Sequence, residues 1–185
     1  MRVNIVGLGK GRELVPSEGI RWGVVGVVHK MPVNILFDMH LMNRLSQSQQ
    51  GRLRMVFKKC RVTNTTIITP NDSSYEKHIK YPLEEIIEYF GVDYFASSID
   101  YALAYAIYKG VKEIHIYGIN FVDTNIAEYT RQKPSAEFWI GFAKGRGIKV
   151  ENHSPSSTIL KTHNGKLYGY ETEQKEQIKT MKILN

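Results

Sequence analysis

Three glycines and two cations are packed into residues 7–12, Gly7-Leu8-Gly9-Lys10-Gly11-Arg12, directly after the apolar run Val3–Val6. Glycines let a ligand approach the backbone closely, and adjacent cations would offset the charge of a phosphate. The spacing departs from the dinucleotide fingerprint in its last interval, and the Gly-Lys-Ser/Thr ending of an ATPase loop is missing. A sharp turn is therefore the competing reading. A second set ends the apolar run 34–40: Asp38 and His40 alternate along an extended segment and so share a face. They could do acid–base work, ligate a metal or hydrogen-bond a neighbouring loop. Two ligands without a zinc-like partner cluster do not define a metal centre, so no metal site is assigned and dependence on a divalent ion is left open.

Further along, Ser97 and Ser98 stand where a helix starts, and hydroxyls there serve a helix whether or not a ligand is present. Asn120 and Asp123 follow the run 113–118. Glu128, Tyr129 and Arg131 continue a polar excursion that could cover a ligand or merely cross the surface. His153 follows the last apolar run and is the first-choice general base, with His40 second. His115, inside Glu113-Ile114-His115-Ile116-Tyr117, reads as a packed, hydrogen-bonded core residue.

The elements that must position these groups alternate. Residues 2–8, 22–28 and 34–40 read as buried strands with little room for helices between the last two. A basic helix is predicted within 45–60, followed by a β-branched strand over 62–69 that ends at Pro70. Residues 71–82 have the composition of a surface loop. Residues 82–91 have proline near the start, acids in the first turn and glycine past the end, the marks of a helix. A helix from Ser97 or Ser98 to Gly110 then feeds the strand 111–118. A further helix from about 135 to 144 precedes the strand 148–152, with Trp139 packed and Glu137 either in its first turn or facing the ligand crevice. This order implies an α/β, Rossmann-like three-layer fold with a mostly parallel sheet. Residues 1–172 are read as one such domain, and 173–185 as a terminal helix or a frayed tail.

The chain has 185 residues, 42% of them apolar, which suits a single core. Its one cysteine, Cys60, excludes an internal disulfide framework and favours a cytoplasmic setting. No secretory leader or membrane-spanning run is read. The formal charge of +7 favours an anionic partner without naming it. The most basic segment, 51–61, could meet nucleic acid through Arg52, Arg54, Lys58, Lys59 and Arg61. Leu53, Val56, Phe57 and Cys60 recur through it at helical spacing, so an amphipathic helix with a solvated face is preferred.

The run Ser97–Phe121, a Ser-Ser pair, helix, glycine, strand and Tyr-Gly-Ile-Asn-Phe, resembles the pattern of bacterial sialyltransferase-like proteins and of the related flagellin-modification and pterin-pyrophosphokinase-like group. The opening 5–14 looks like the glycine-rich start of that superfamily. With Phe37–His40, the run 137–150 and Leu167–Glu171, the chain is closer still to small bacteriophage proteins of this type. The resemblance implies a Rossmann-like fold in which Gly7, Gly9 and Gly11 of the first motif, Ser97 and Ser98 of the second, and Asn120 adjoin a nucleotide or nucleotide-sugar. Lys10 and Arg12 depart from the small and proline character of the first motif, and Asn120 stands where a carboxylate is usual. The sialyltransferases also use a histidine base and a pair of tyrosines that hold the donor phosphate. The corresponding stretch here offers Tyr129 and no histidine before His153.

The function expected is a nucleotide-sugar-dependent, glycosyl- or sialyl-like transferase acting on an unspecified acceptor. Its catalytic residues would be His153, His40 and Asp38, and its donor would be held by Gly7, Gly9, Lys10, Gly11, Arg12, Ser97, Ser98, Asn120 and Tyr129. The alternative is a non-catalytic nucleotide-binding phage accessory protein, acting in the host cytoplasm. A homo-oligomer is compatible with either reading, and nucleic acid is the less favoured partner.

Overall fold

The computed structural model describes residues 1–122, 126–162 and 167–169; Asp123 and the tail 173–185 lie outside the described residues. Seven strands form one sheet: β1 (Arg2–Val6), β2 (Ile20–Val24), β3 (Ile35–Phe37), β4 (Thr66–Thr69), β5 (His78–Lys80), β6 (Glu113–Tyr117) and β7 (Lys149–Asn152). Their spatial order is β5-β4-β3-β2-β1-β6-β7, and every neighbouring pair is parallel. The chain moves outward from β1 to β5 and then returns to the other side of β1 as β6. The strand order therefore reverses between β1 and β6, where open α/β sheets form a crevice at the strands' carboxyl ends.

Both faces of the sheet are covered, as a parallel sheet requires. On one face, α1 (Gln47–Val62) buries Leu53, Val56 and Cys60 against Leu36 and Ile67, with Val27 and Val28 of a short 3-10 turn completing the layer. Arg52, Arg54, Lys58 and Arg61 point to solvent, which is the amphipathic arrangement expected of this segment. The other face carries α2 (Leu83–Phe90), α3 (Ser98–Tyr108) and α4 (Ile126–Gly145) over Val3, Ile5, Trp22, Phe37, Ile68, Ile114 and Ile116. Two helical layers around the parallel sheet make the three-layer Rossmann-like fold that the alternating elements imply.

Three local expectations are corrected. The second strand occupies Ile20–Val24, and Val27–His29 turns into a 3-10 helix because Gly26 takes a left-handed φ of 88°. Residues 78–80, read as loop, form the edge strand β5; its backbone bonds to β4 hold it, and its side chains are half-buried or exposed, so it carries no apolar alternation. The last helix begins at Ile126 and runs through Pro134. Buried Ser135, Ala136, Trp139, Ile140 and Ala143 fix its second half against the core, and that packing outweighs the one backbone donor that proline removes. Among the described residues, no helix is long and apolar enough to cross a membrane.

Candidate functional site

A cleft of about 800 Å³ opens at the reversal between β1 and β6. This is within the range of small-molecule sites, roughly 300–1,000 Å³. Seven segments converge on it: the loop after β1 (Gly7, Leu8, Gly9, Lys10), the end of β2 (Val24, Val25), the end of β3 (Met39, His40), the entry to α3 (Phe95, Ala96, Ser97, Ser98), the loop after β6 (Gly118–Val122), the first turns of α4 (Glu128, Tyr129, Gln132) and Ser156 after β7. Nine residues singled out from sequence thus meet: Gly7, Gly9, Lys10, His40, Ser97, Ser98, Asn120, Glu128 and Tyr129. Gly11, Arg12, Asp38 and His153 are not part of the lining.

The glycine loop is held by its own bonds. Gly7 N–H donates to the Tyr117 carbonyl and Gly9 N–H to the Gly118 carbonyl, each at 2.8 Å. Gly11 N–H donates to both oxygens of the Glu13 carboxylate, and the Arg12 guanidinium donates back to the Leu8 and Gly9 carbonyls. Contacts with β6 demand the absent side chains: a Cβ on Gly7 would stand 2.5 Å from the Gly118 carbonyl oxygen, and one on Gly9 would stand 2.7 Å from Asn120 Nδ2. The glycines thus let two loops interlock at the base of the cleft, and Arg12 clamps its own loop from outside.

The entry to α3 is also internally bonded. Asp100, fully buried in the helix's first turn, accepts the Ala96 and Ser97 amides through Oδ2 at 2.8 Å each, together with the Ser135 hydroxyl. Burial raises the Asp100 pKa against these hydrogen bonds, which act to lower it. Ser97 Oγ caps α3 toward the Asp100 amide, whereas Asn120 Oδ1, a buried atom of a residue that lines the cleft, has no hydrogen-bond partner among the described residues. Asn120 Nδ2 is committed to the Lys10 carbonyl at 3.2 Å. Buried polar atoms are rarely left orphaned, so Asn120 Oδ1 marks a position where a ligand or water completes the site.

Across the cleft, His40 is half-exposed and Asp38 fully buried, with Asp38 Oδ1 2.6 Å from His40 Nδ1. The hydrogen bond to Asp38 raises the His40 pKa, with a smaller contribution from the charge of Glu128. The Asn71 side chain donates to the His40 carbonyl and accepts from the Met42 amide, bracing the turn after β3. The carboxylate fixes Nδ1 as the protonated nitrogen and leaves Nε2 able to accept a proton.

His153 follows β7 on the side of the sheet occupied by His115 and Tyr117, outside the cleft lining. The loop that it starts still reaches the site. Ser154 Oγ accepts from the Ile119 amide, Pro155 packs over Gly11, and Ser156 lines the cleft. Glu137 faces elsewhere and accepts from the Leu160 amide. Cys60 takes no part, since burial pushes its thiol up to about 12.

Sequence reasoning missed Phe95, Gln132 and Gly118. Gln132 donates to Glu128 one helical turn earlier, at 2.7 Å, a pairing that the residues' i,i+4 spacing would have shown had the helix been started at 126. Gly118 has a left-handed φ of 64°, and a Cβ there would stand 2.8 Å from the Gly7 carbonyl oxygen and 2.9 Å from that of Gly9. Its position directly after a buried strand was the available signal.

No protein-family model matches the chain, and no curated protein matches it by sequence. Solved structures do. The sialyltransferase CST-II in complex with a trisaccharide acceptor and CMP superposes with a TM-score of 0.55 at 16% identity, over 85% of this chain and 83% of that one. CstII from Campylobacter jejuni with the substrate analogue CMP-3FNeuAc gives 0.54 at 17% identity, over 85% and 82%. A point mutant of the alpha-2,3/8-sialyltransferase CstII gives 0.53 at 18% identity, over 85% and 83%. At these identities the likeness is one of fold alone: this chain shares the fold of the CstII sialyltransferases over most of its length.

Proposed function

We propose that the protein is a glycosyltransferase-like enzyme that takes a nucleotide-sugar donor, of the CMP-sugar kind, in the cleft between β1 and β6. The observation that carries this reading is the buried, unpartnered Asn120 Oδ1 at the topological switch of the sheet. A donor bearing hydroxyl or amino groups satisfies this atom, because Asn120 Oδ1 can only accept. The likeness in fold to sialyltransferases solved with CMP and with a CMP-sugar analogue supports the choice of ligand class. The amides of Gly7, Gly9, Gly11 and Ser97 are already bonded, so charge on the leaving phosphate falls to Lys10 and to the hydroxyls of Ser97, Ser98 and Tyr129.

His40, rather than His153, is the general base in this reading. With Nδ1–H held by Asp38, Nε2 takes the proton of the acceptor hydroxyl as that oxygen bonds to the anomeric carbon. The carbon–phosphate oxygen bond breaks with its electron pair, and the nucleotide leaves as the anion.

Calorimetry with CMP and CMP-sugars tests binding, and product analysis with simple glycoside acceptors tests transfer. Saturable binding to the wild type is expected, weakened about tenfold or more in Asn120→Leu, as befits the loss of a buried polar partner. His40→Asn should bind as the wild type does and transfer about 10²–10⁴-fold more slowly. Absence of binding across nucleotides defeats the proposal. A retained nucleotide without product, in the wild type, would favour the non-catalytic binding protein, a reading to which the displacement of His153 from the cleft lends weight.

A further inference from the structure

A cluster with its own chemistry lies on the opposite side of the sheet. Register pairs His115 of β6 with Glu151 of β7. Because side chains alternate, Glu113, His115 and Tyr117 share a face with Lys149, Glu151 and the following His153. Three ligand atoms converge there: His115 Nδ1, Glu151 Oε2 and His153 Nε2, all within 4.8 Å of one another. Their separations are 2.8 Å between the two nitrogens, 3.6 Å from His115 to Glu151 and 3.4 Å from His153 to Glu151. Ligands about 2.0–2.1 Å from a tetrahedral ion stand about 3.3–3.4 Å apart. The two rings lie nearly coplanar, 5.0 Å between centroids at 6°, with these nitrogens aimed at each other, so an ion enters one coordination sphere with all three atoms once the nitrogens part by about half an ångström and the rings turn.

The surroundings are those of a ligand set. Glu113 Oε2 lies 3.4 Å from the far nitrogen of His115, the carboxylate–imidazole support that orients a metal-binding histidine. With that proton directed to Glu113, Nδ1 of His115 presents a lone pair. Its short contact with His153 Nε2 then requires a single proton or a cation between them. The Tyr117 ring lies against His153 at 4.7 Å and 10°, limiting the ring's rotation. Lys149 Nζ holds the other oxygen of Glu151 at 2.8 Å, leaving Oε2 for the cluster. The His115 side chain is 5% exposed, while Glu151 and His153 are 38% and 35% exposed, so the cluster has a closed floor and an open side for entry.

We propose that His115, Glu151 and His153 form a binding site for one divalent transition-metal ion of the zinc class, with solvent as the fourth ligand. Two imidazoles and one carboxylate suit zinc and do not suit magnesium, which requires an oxygen shell. The three ligands lie outside the cleft, so the ion fastens β6 to β7 and anchors the head of the loop 153–157, whose Ser156 forms part of the cleft wall. This inference does not depend on the proposed activity.

Cobalt(II) titration followed by visible absorption, with zinc competition and zinc calorimetry on the full chain, tests the site. One equivalent is expected to give the intense bands of a tetrahedral ion, displaced by zinc and unaffected by magnesium. Glu151→Gln and His153→Ala change half-exposed side chains and should fold as the wild type does by circular dichroism, yet weaken metal binding by about tenfold or more. His40→Asn should leave it unchanged. Absence of the bands in the wild type, or undiminished binding in His153→Ala, would overturn the assignment.

Discussion

His40 shows how a neighbour converts an ordinary side chain into a candidate base. Asp38 is buried without exposure and holds Nδ1 at 2.6 Å, so the protonated imidazole is favoured in the folded state. A raised folded-state value means that His40 contributes stability fully below its unfolded value, near pH 6.5, and loses that contribution as pH rises through the folded value. The melting temperature of the wild type should therefore exceed that of His40→Asn at pH 5.5–6 by more than it does at pH 8.5–9. A difference that grows with pH would show that the Asp38 contact does not stabilise the charged ring. Alternation along residues 37–40 already placed Asp38 and His40 on one face; burial of one and half-exposure of the other came only with packing. The glycines were legible as a tight turn, whereas the partners of their amides lie in β6 and in Glu13.

At the scale of elements, α4 carries the largest gap between pattern and structure. Pro134 ends a helix in most sequence contexts, and residues 126–133 are polar, so the first two turns are silent in periodicity. The Gln132–Glu128 bond runs along them and Tyr129 packs edge-on against Phe121, and those turns bring Glu128, Tyr129 and Gln132 to the cleft. Trp139 is the anchor of the second half. It is fully buried, donates to the Tyr94 carbonyl at 2.8 Å and stacks on Phe95, which forms part of the cleft wall. Trp139→Ala should cost about 3–5 kcal/mol in urea unfolding, the usual range for removing a buried aromatic side chain. A loss under about 1 kcal/mol would mean that α4 is not locked to the core through this residue. The helices α1 and α3 were readable throughout because their apolar stripes are continuous.

For the whole molecule, the strand order places β1 and β6 at the centre and leaves β5 and β7 at the edges. Val3, Ile5, Val6, Ile114 and Ile116 are fully buried, while two of the three side chains of β5 are exposed. Local opening costs least where few buried contacts must break. Native-state hydrogen exchange should find the slowest strand amides in β1 and β6 and much faster exchange in β5. Comparable protection across all seven strands would contradict this gradient.

The sequence alone determined the class of fold, because alternating apolar strands and capped helices of these lengths can bury their faces only as a parallel sheet between helical layers. It also determined the chemical types available: a glycine loop, a serine pair, an Asp–His pair and an unusually basic helix. Which of them meet was decided by the tertiary structure. The reversal of strand order at β1 and β6 brings residues more than a hundred positions apart into one cleft, and strand alternation sends His153 to the opposite face beside His115. Distance along the chain and distance in space are related only through strand order and register, and those depend on how the whole core packs.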